Sequence, residues 1–184
     1  MIIFILGIGC AAQSLAQSCN DAIAQTTFSE RFDISLADPS FATDLATSLE
    51  WQRCPAGLVF NDQGDAADIS IHTCDTPPEL TDDDPETIVL TLFNWIQAIN
   101  RAAEEGGEWR LPNVKELATI VEHGCAIPAI NTEVFPGTTS VGYWASTPSA
   151  DTDSSAWTVN FNDGSNITVT KSTPLSIRLV RDTD

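Results

Sequence analysis

Cysteines dominate the reactive inventory of this sequence, at positions Cys10, Cys19, Cys54, Cys74 and Cys125. None forms a CxxC pair, and the two histidines, His72 and His123, complete no zinc pattern with them. No resident metal or cofactor is expected. Cys10 falls in an N-terminal leader, so Cys19, Cys54, Cys74 and Cys125 remain to form two disulfides. Four cysteines allow three pairings, and the sequence does not choose among them. A Cys54–Cys74 bridge would close a short local loop, leaving Cys19–Cys125 to tie the N-terminal segment to the body. The run Asp82-Asp83-Asp84 offers oxygen ligands but lacks calcium-loop spacing, so it reads as a solvated loop. Ser146, His123 and Asp163 could be written as a triad, yet no nucleophile elbow or oxyanion motif surrounds them. The expectation is a protein that is not an enzyme.

Binding chemistry is better represented. Between Thr138 and Ser155 an aromatic strand leads into a polar segment of Ser, Thr and Asp. Short hydroxyls and carboxylates exchange hydrogen bonds with sugar hydroxyls, and an aromatic face supplies the apolar contact. Trp144, Ser146, Asp151 and Asp153 are therefore the expected ligand-binding group.

The chain has 184 residues, with 26 Asp+Glu against 8 Lys+Arg and a formal charge of −18. That balance opposes phosphate backbones and anionic lipid, which excludes a nucleic-acid partner. No charged side chain precedes Asp21, and Ile2 to Ala12 form an apolar run of signal-peptide length. Gln13, Ser14, Gln17 and Ser18 interrupt it well before membrane-spanning length, so no membrane insertion is expected. Ser14-Leu15-Ala16 supplies the small residues before a cut after Ala16. The expected organisation is a signal peptide (1–16), an extended arm (17–40) and one domain (41–184), exported across the bacterial inner membrane to be secreted or held at the cell surface.

These residues need a scaffold, and hydrophobic spacing outlines one. Phe28, Phe32, Ile34 and Leu36 alternate as in a strand, and 45–60 is a second extended stretch carrying Leu49, Trp51 and Cys54. A first helix is expected from Asp84 as N-cap through Pro85 and Glu86 to Gly106-Gly107. Its buried face would be Ile88, Val89, Leu92, Trp95, Ile96 and Ile99. A second helix is capped by Asn113 with Glu116 three residues on. Its apolar face is Val114, Leu117, Ile120 and Val121, and Gly124 stops it. Residues 129–139 are irregular, and 142–147 form a strand. A hairpin turns at Asn162-Asp163-Gly164-Ser165, and Ile177, Leu179 and Val180 give the last strand. The fold class is α+β.

Six motifs occur in order: Leu-Glu-Trp-Gln-Arg-Cys (49–54), Gly-Glu-Trp-Arg-Leu-Pro-Asn-Val-Lys-Glu-Leu (107–117), Pro-Ala-Ile-Asn (128–131), Tyr-Trp-Ala-Ser-Thr (143–147), Ala-Trp-Thr-Val-Asn-Phe-Asn-Asp-Gly (156–164) and Ile-Arg-Leu-Val-Arg (177–181). Over Ala42 to Arg181 they resemble the C-terminal domain family of the Legionella collagen-like adhesin. The resemblance implies a C-type-lectin-like fold, a small twisted antiparallel sheet with two helices. It also implies secreted or surface-attached, often adhesive proteins, some of which bind sulfated glycans. Sulfate binding transfers poorly to a chain with so few cations. Lectin-type calcium triplets find only Leu111-Pro112-Asn113, which lacks a carboxylate, and Phe161-Asn162-Asp163, which a hairpin turn explains.

All five tryptophans lie in these motifs or the first helix and are expected to build one aromatic core. Arg110 and Glu116 are placed for an ion pair at the second helix start. The expected function is an exported, surface-associated, non-enzymatic binding or adhesion module for a glycan or a surface protein. The alternative is a structural homo-oligomer, an extracellular fibre or surface layer in which arm 17–40 adds a strand to a neighbour.

Overall fold

In the structure, a computed structural model, residues 17–78 and 91–183 are described. In chain order the strands are β1 (Ser18–Cys19), β2 (Phe32–Asp33), β3 (Phe41–Asp44), β4 (Leu49–Gln52), β5 (Val59–Asn61), β6 (Thr73–Asp75), β7 (Cys125–Ala126), β8 (Gly142–Pro148), β9 (Ser155–Asn160), β10 (Ser165–Thr170) and β11 (Val180–Asp182). The helices are α1 (Trp95–Glu105) and α2 (Val114–Ala118). The α+β class holds, with the strands divided among four small antiparallel sheets, β11-β4-β3-β2, β10-β9-β8, β1-β7 and β5-β6. Bridges between Tyr143 and Ser176 and between Arg110 and Val180 join the two larger sheets and the segment before α2.

Two clusters form the interior rather than one aromatic core. Trp51, Leu117, Phe135, Tyr143 and Phe161 belong to the first, with Trp157 at its edge. Trp109 and Trp144 belong to the second, with Ala98, Ala102, Ile177 and Leu179, and Trp95 at its margin. The reason is geometric: two separate sheets leave two spaces to fill, one beneath α2 and one beneath α1.

The first helix departs from its expected limits and face. It begins at Trp95, where Asn94 accepts from Gln97 N and Gln97 returns the bond in a capping box. Asp84, Pro85, Glu86, Ile88 and Val89 lie outside the described residues. The face packed on the second cluster is Ala98 and Ala102, small enough for the helix to approach Trp144 closely. Leu92, Ile96 and Ile99 are exposed instead, at 45%, 57% and 38%. In the second helix, Asn113 and Glu116 form the expected box. It closes at Ala118, because the Thr119 hydroxyl donates to Glu116 O at 2.7 Å. Ile120 and Val121 are buried beyond that end, and Gly124 is not its stop.

The expected hairpin is present. Ser165 pairs with Asn160, and Gly164 has φ +77°, where a Cβ would come within 2.7 Å of Val121 Cγ1. Both disulfides form as Cys19–Cys125 and Cys54–Cys74.

Residues 17–40 are not a free extended arm. Only Phe32–Asp33 of the alternating stretch is a strand, after a 3-10 turn at Ser29–Arg31, and Phe28 and Leu36 are exposed. β2 pairs with β3, and β1 pairs with β7 beside the Cys19–Cys125 bridge. Arg31 fixes this entry by a bidentate contact to the buried Asp44 carboxylate, at 2.8 and 2.5 Å. Burial pushes that carboxyl up, but Arg31, Thr47 and the Ala46 amide outweigh it and hold it below its usual range.

Glu122 is the second anchor. One carboxylate oxygen accepts from Thr26 N (2.9 Å), Thr27 N (2.7 Å) and the Thr27 hydroxyl (2.9 Å), while the other accepts from Gly124 N (2.9 Å). Burial acts to raise this carboxyl, yet the amides of Gly124 and Thr27 and the Thr27 hydroxyl leave it lowered.

The arginines of two of the motifs are interior. Arg53 donates to Val134 O, Pro39 O and Glu133 O, and also meets His72 Nδ1 at 2.7 Å. Arg178 donates to Gln52 O, Arg53 O and Thr138 Oγ1, and its guanidinium lies 4.9 Å from the Phe135 ring centroid. Burial pushes each guanidinium down to about 10, and neither pairs with a carboxylate among the described residues. Their role is to satisfy buried carbonyls in the loops around residues 39, 53 and 133–134 and at the end of β4.

Candidate functional site

The chain leaves α1 through Gly106, Gly107 and Glu108, all at positive φ (69°, 57° and 65°). Three consecutive left-handed residues reverse its direction, and two glycines make that affordable. Trp109 is thereby carried back beneath the helix it has just left. The reversal opens a groove of about 580 Å³ lined by Ile99, Ala102 and Ala103 of α1, the segment Trp109–Leu111, Asn113 and Glu116 at α2, and Ser146 of β8.

The walls are apolar and the rim is polar. Trp109 is only 8% exposed. Its ring meets Phe41 at 5.0 Å between centroids and the Arg181 guanidinium at 4.5 Å. Arg181 is itself held by Glu50. Arg110 shows the expected pairing, with contacts of 2.8 and 3.1 Å to Glu116 and a further one of 3.0 Å to Asp182. Those bonds, Glu116 foremost, raise its proton affinity above the usual arginine value despite partial burial. Glu116 also accepts from Asn113 N at 2.7 Å, so one carboxylate both caps α2 and neutralises the rim. Ser146 N and its hydroxyl both donate to Pro112 O, at 2.8 and 3.2 Å, and Val114 N donates to Thr147 Oγ1. These bonds stitch β8 to the start of α2.

The four expected ligand-binding residues do not converge. Ser146 lines the groove. Trp144 is fully buried and its indole donates to Phe93 O at 2.8 Å, so it has no face for a ligand. Alternation along β8 sends it into the second cluster. Asp151 and Asp153 are exposed on the loop after β8 and do not line the groove. That loop is shaped by Asp151 N donating to Ser149 Oγ and by Lys171 donating to Asp153 O at 2.7 Å. The groove residues Ile99, Ala102, Ala103 and Trp109 were missed because an apolar residue near a helix reads as core. The Gly-Gly-Glu-Trp reversal was the available signal.

Of the lectin-like triplets, Asn113 caps α2. Asp163 closes the hairpin by accepting from Ser165 N and Oγ, which lowers its carboxyl. Among the described residues no three His, Cys, Asp or Glu side chains are grouped to hold a metal ion, and no helix is long and apolar enough to cross a membrane.

The family model of the Lcl C-terminal domain matches residues 40–181, which contain the sheet β10-β9-β8, strands β3 and β4, both helices and the groove. The chain belongs to that family. It has no match among curated proteins.

Proposed function

We propose that this member of the Lcl C-terminal domain family is an exported, non-enzymatic adhesion module that holds a glycan or surface-protein ligand in the groove between α1 and β8. The observation that carries this reading is the groove itself. Apolar walls from Ile99, Ala102, Ala103 and Leu111 lie beside a polar rim of Arg110, Asn113, Glu116 and Ser146, on a scaffold locked by two disulfides. Arg110 is matched by Glu116 and Asp182, so no free cationic cluster awaits sulfate. Ser146 Oγ donates to Pro112 O rather than to a histidine base, which does not favour nucleophilic attack. Self-assembly through residues 17–40 has less support, since β1 and β2 are already paired within the chain.

The test is binding to a glycan array and to immobilised surface proteins, with and without calcium, using the native chain and Ala103→Trp. Ala103 is exposed on the groove wall, so a tryptophan there fills the groove without entering the core. A ligand lost in Ala103→Trp supports the reading. A ligand retained in Ala103→Trp but lost in the Asp151→Ala, Asp153→Ala double variant moves the site to the loop after β8 and refutes the groove. Long filaments of purified protein in negative stain would favour the structural role instead.

A further inference from the structure

The apolar surface does not end at the groove. Ile96, Ile99 and Ala103 follow i, i+3, i+7 spacing along α1 and form one ridge leading into it, with Leu92 just ahead of the helix. The neighbouring face of α1, at Ala98 and Ala102, serves the interior, with Ala102 also reaching the groove. Ile96 and Ile99 belong to neither core cluster and, at 57% and 38% exposed, leave apolar surface in water, the usual mark of a contact surface.

The chemistry favours a protein over a sugar. Stacking on a sugar ring takes an open aromatic face, and the groove's indole is covered by Phe41 and Arg181. Aliphatic side chains at helical spacing instead match the knobs of a second helix. Ile96 to Ala103 spans seven residues, roughly 10 Å at the helical rise, or two turns of a partner.

Charge narrows the partner further. Glu104 follows Ala103 on α1, Glu108 precedes Trp109, and Glu116 lines the groove with Asp182 beside it through Arg110. Arg101 is taken by Glu105, and Arg110 by Glu116 and Asp182. Glu104 and Glu108 are exposed and enter no ion pair among the described residues, with Lys115 the one uncompensated cation nearby. The chain as a whole carries −18. Such a rim attracts cations and repels anions.

We infer that the ridge Ile96–Ile99–Ala103 and the adjoining groove dock a cationic amphipathic helix of a partner protein, its aliphatic face on the ridge and its Lys or Arg residues toward Glu104 and Glu108. This rests on the proposed role of the groove and names the class of its ligand.

The probe is a helical peptide of leucine and lysine about 18 residues long, with its leucines on one face. Its control replaces every lysine by glutamate. Both are titrated calorimetrically against the full chain and against Ile96→Asp and Ile99→Asp. Ile96, the more exposed position, keeps the test valid if Ile99→Asp melts early. Docking predicts that the leucine–lysine peptide binds, that its glutamate control does not, and that each aspartate variant weakens binding about tenfold or more. General charge attraction predicts the opposite sign, because each variant adds a negative charge. Binding unchanged or tightened in the variants overturns the inference. A glycan displaced by Ala103→Trp, with no peptide binding, also overturns it while leaving the adhesion role intact. Loss of both responses removes both readings. A dimer of this chain that Ile96→Asp dissociates overturns the foreign partner in favour of a second copy.

Discussion

Glu122→Gln tests how the N-terminal segment is held. The substitution keeps shape and removes charge. In the native protein one oxygen serves three donors, Thr26 N, Thr27 N and Thr27 Oγ1, and the other serves Gly124 N. A glutamine places its carbonyl on one side only. With the carbonyl toward the threonines, its NH2 confronts the buried Gly124 N–H, leaving that donor unpaired at roughly 1–3 kcal/mol. The three remaining bonds lose their charge assistance, about half their strength. Together the loss is about 3 kcal/mol, which lowers the melting temperature by about 6–12 °C for a domain of this size.

The Cys19–Cys125 bridge keeps the segment attached, so loosening is local and visible as faster hydrogen exchange at Thr27 and Gly124. The carboxyl is lowered in the folded protein. Its contribution is therefore complete above the usual glutamate value near 4.5 and fades as pH falls through the lower folded value. The gap between native and variant should be full at pH 7 and narrow only in acid. Urea denaturation across that range decides it. A difference under about 1 kcal/mol at pH 7, or one that acid leaves unchanged, refutes the account.

Three further outcomes are expected. Arg178→Lys destabilises by about 2–3 kcal/mol in urea despite equal charge, because one ammonium cannot reach Gln52 O, Arg53 O and Thr138 Oγ1 together. Removing Cys19–Cys125, which closes 106 residues, lowers stability more than removing Cys54–Cys74, which closes 20. Chain entropy gives about 5 against about 3 kcal/mol, readable from the denaturation midpoints of the paired serine variants. Gly137→Ala lowers the melting temperature, since φ is +66° and a Cβ would lie 2.5 Å from Cys74 Cβ in a disulfide that cannot swing aside.

Local signals were readable wherever one segment supplies both partners. Asn113 and Glu116 sit three residues apart, and a capping box needs nothing else. The Asn160–Ser165 hairpin is likewise closed by its own turn residues. Cys54–Cys74 was the short local loop among three open pairings, and the structure selects it. Charge spoke directly as well, because an excess of 26 acids over 8 bases acts at long range whatever the fold.

What faced inward was decided elsewhere. Ile96 and Ile99 satisfy a helical apolar stripe as well as Ala98 and Ala102 do, and only the close approach of Trp144 and Ile177 selects the alanines. Trp144 and Trp109 look alike in sequence until alternation along β8 buries the first in the second cluster and the Gly106–Glu108 reversal carries the second to the groove. The N-terminal segment reads as an extended arm tied down by Cys19, and nothing in its sequence signals that Glu122, more than ninety residues away, gathers its amides. Spacing along the chain records which residues can share a face of one element. Which face is covered depends on the element that arrives from a distant part of the chain, and that is a property of tertiary packing alone.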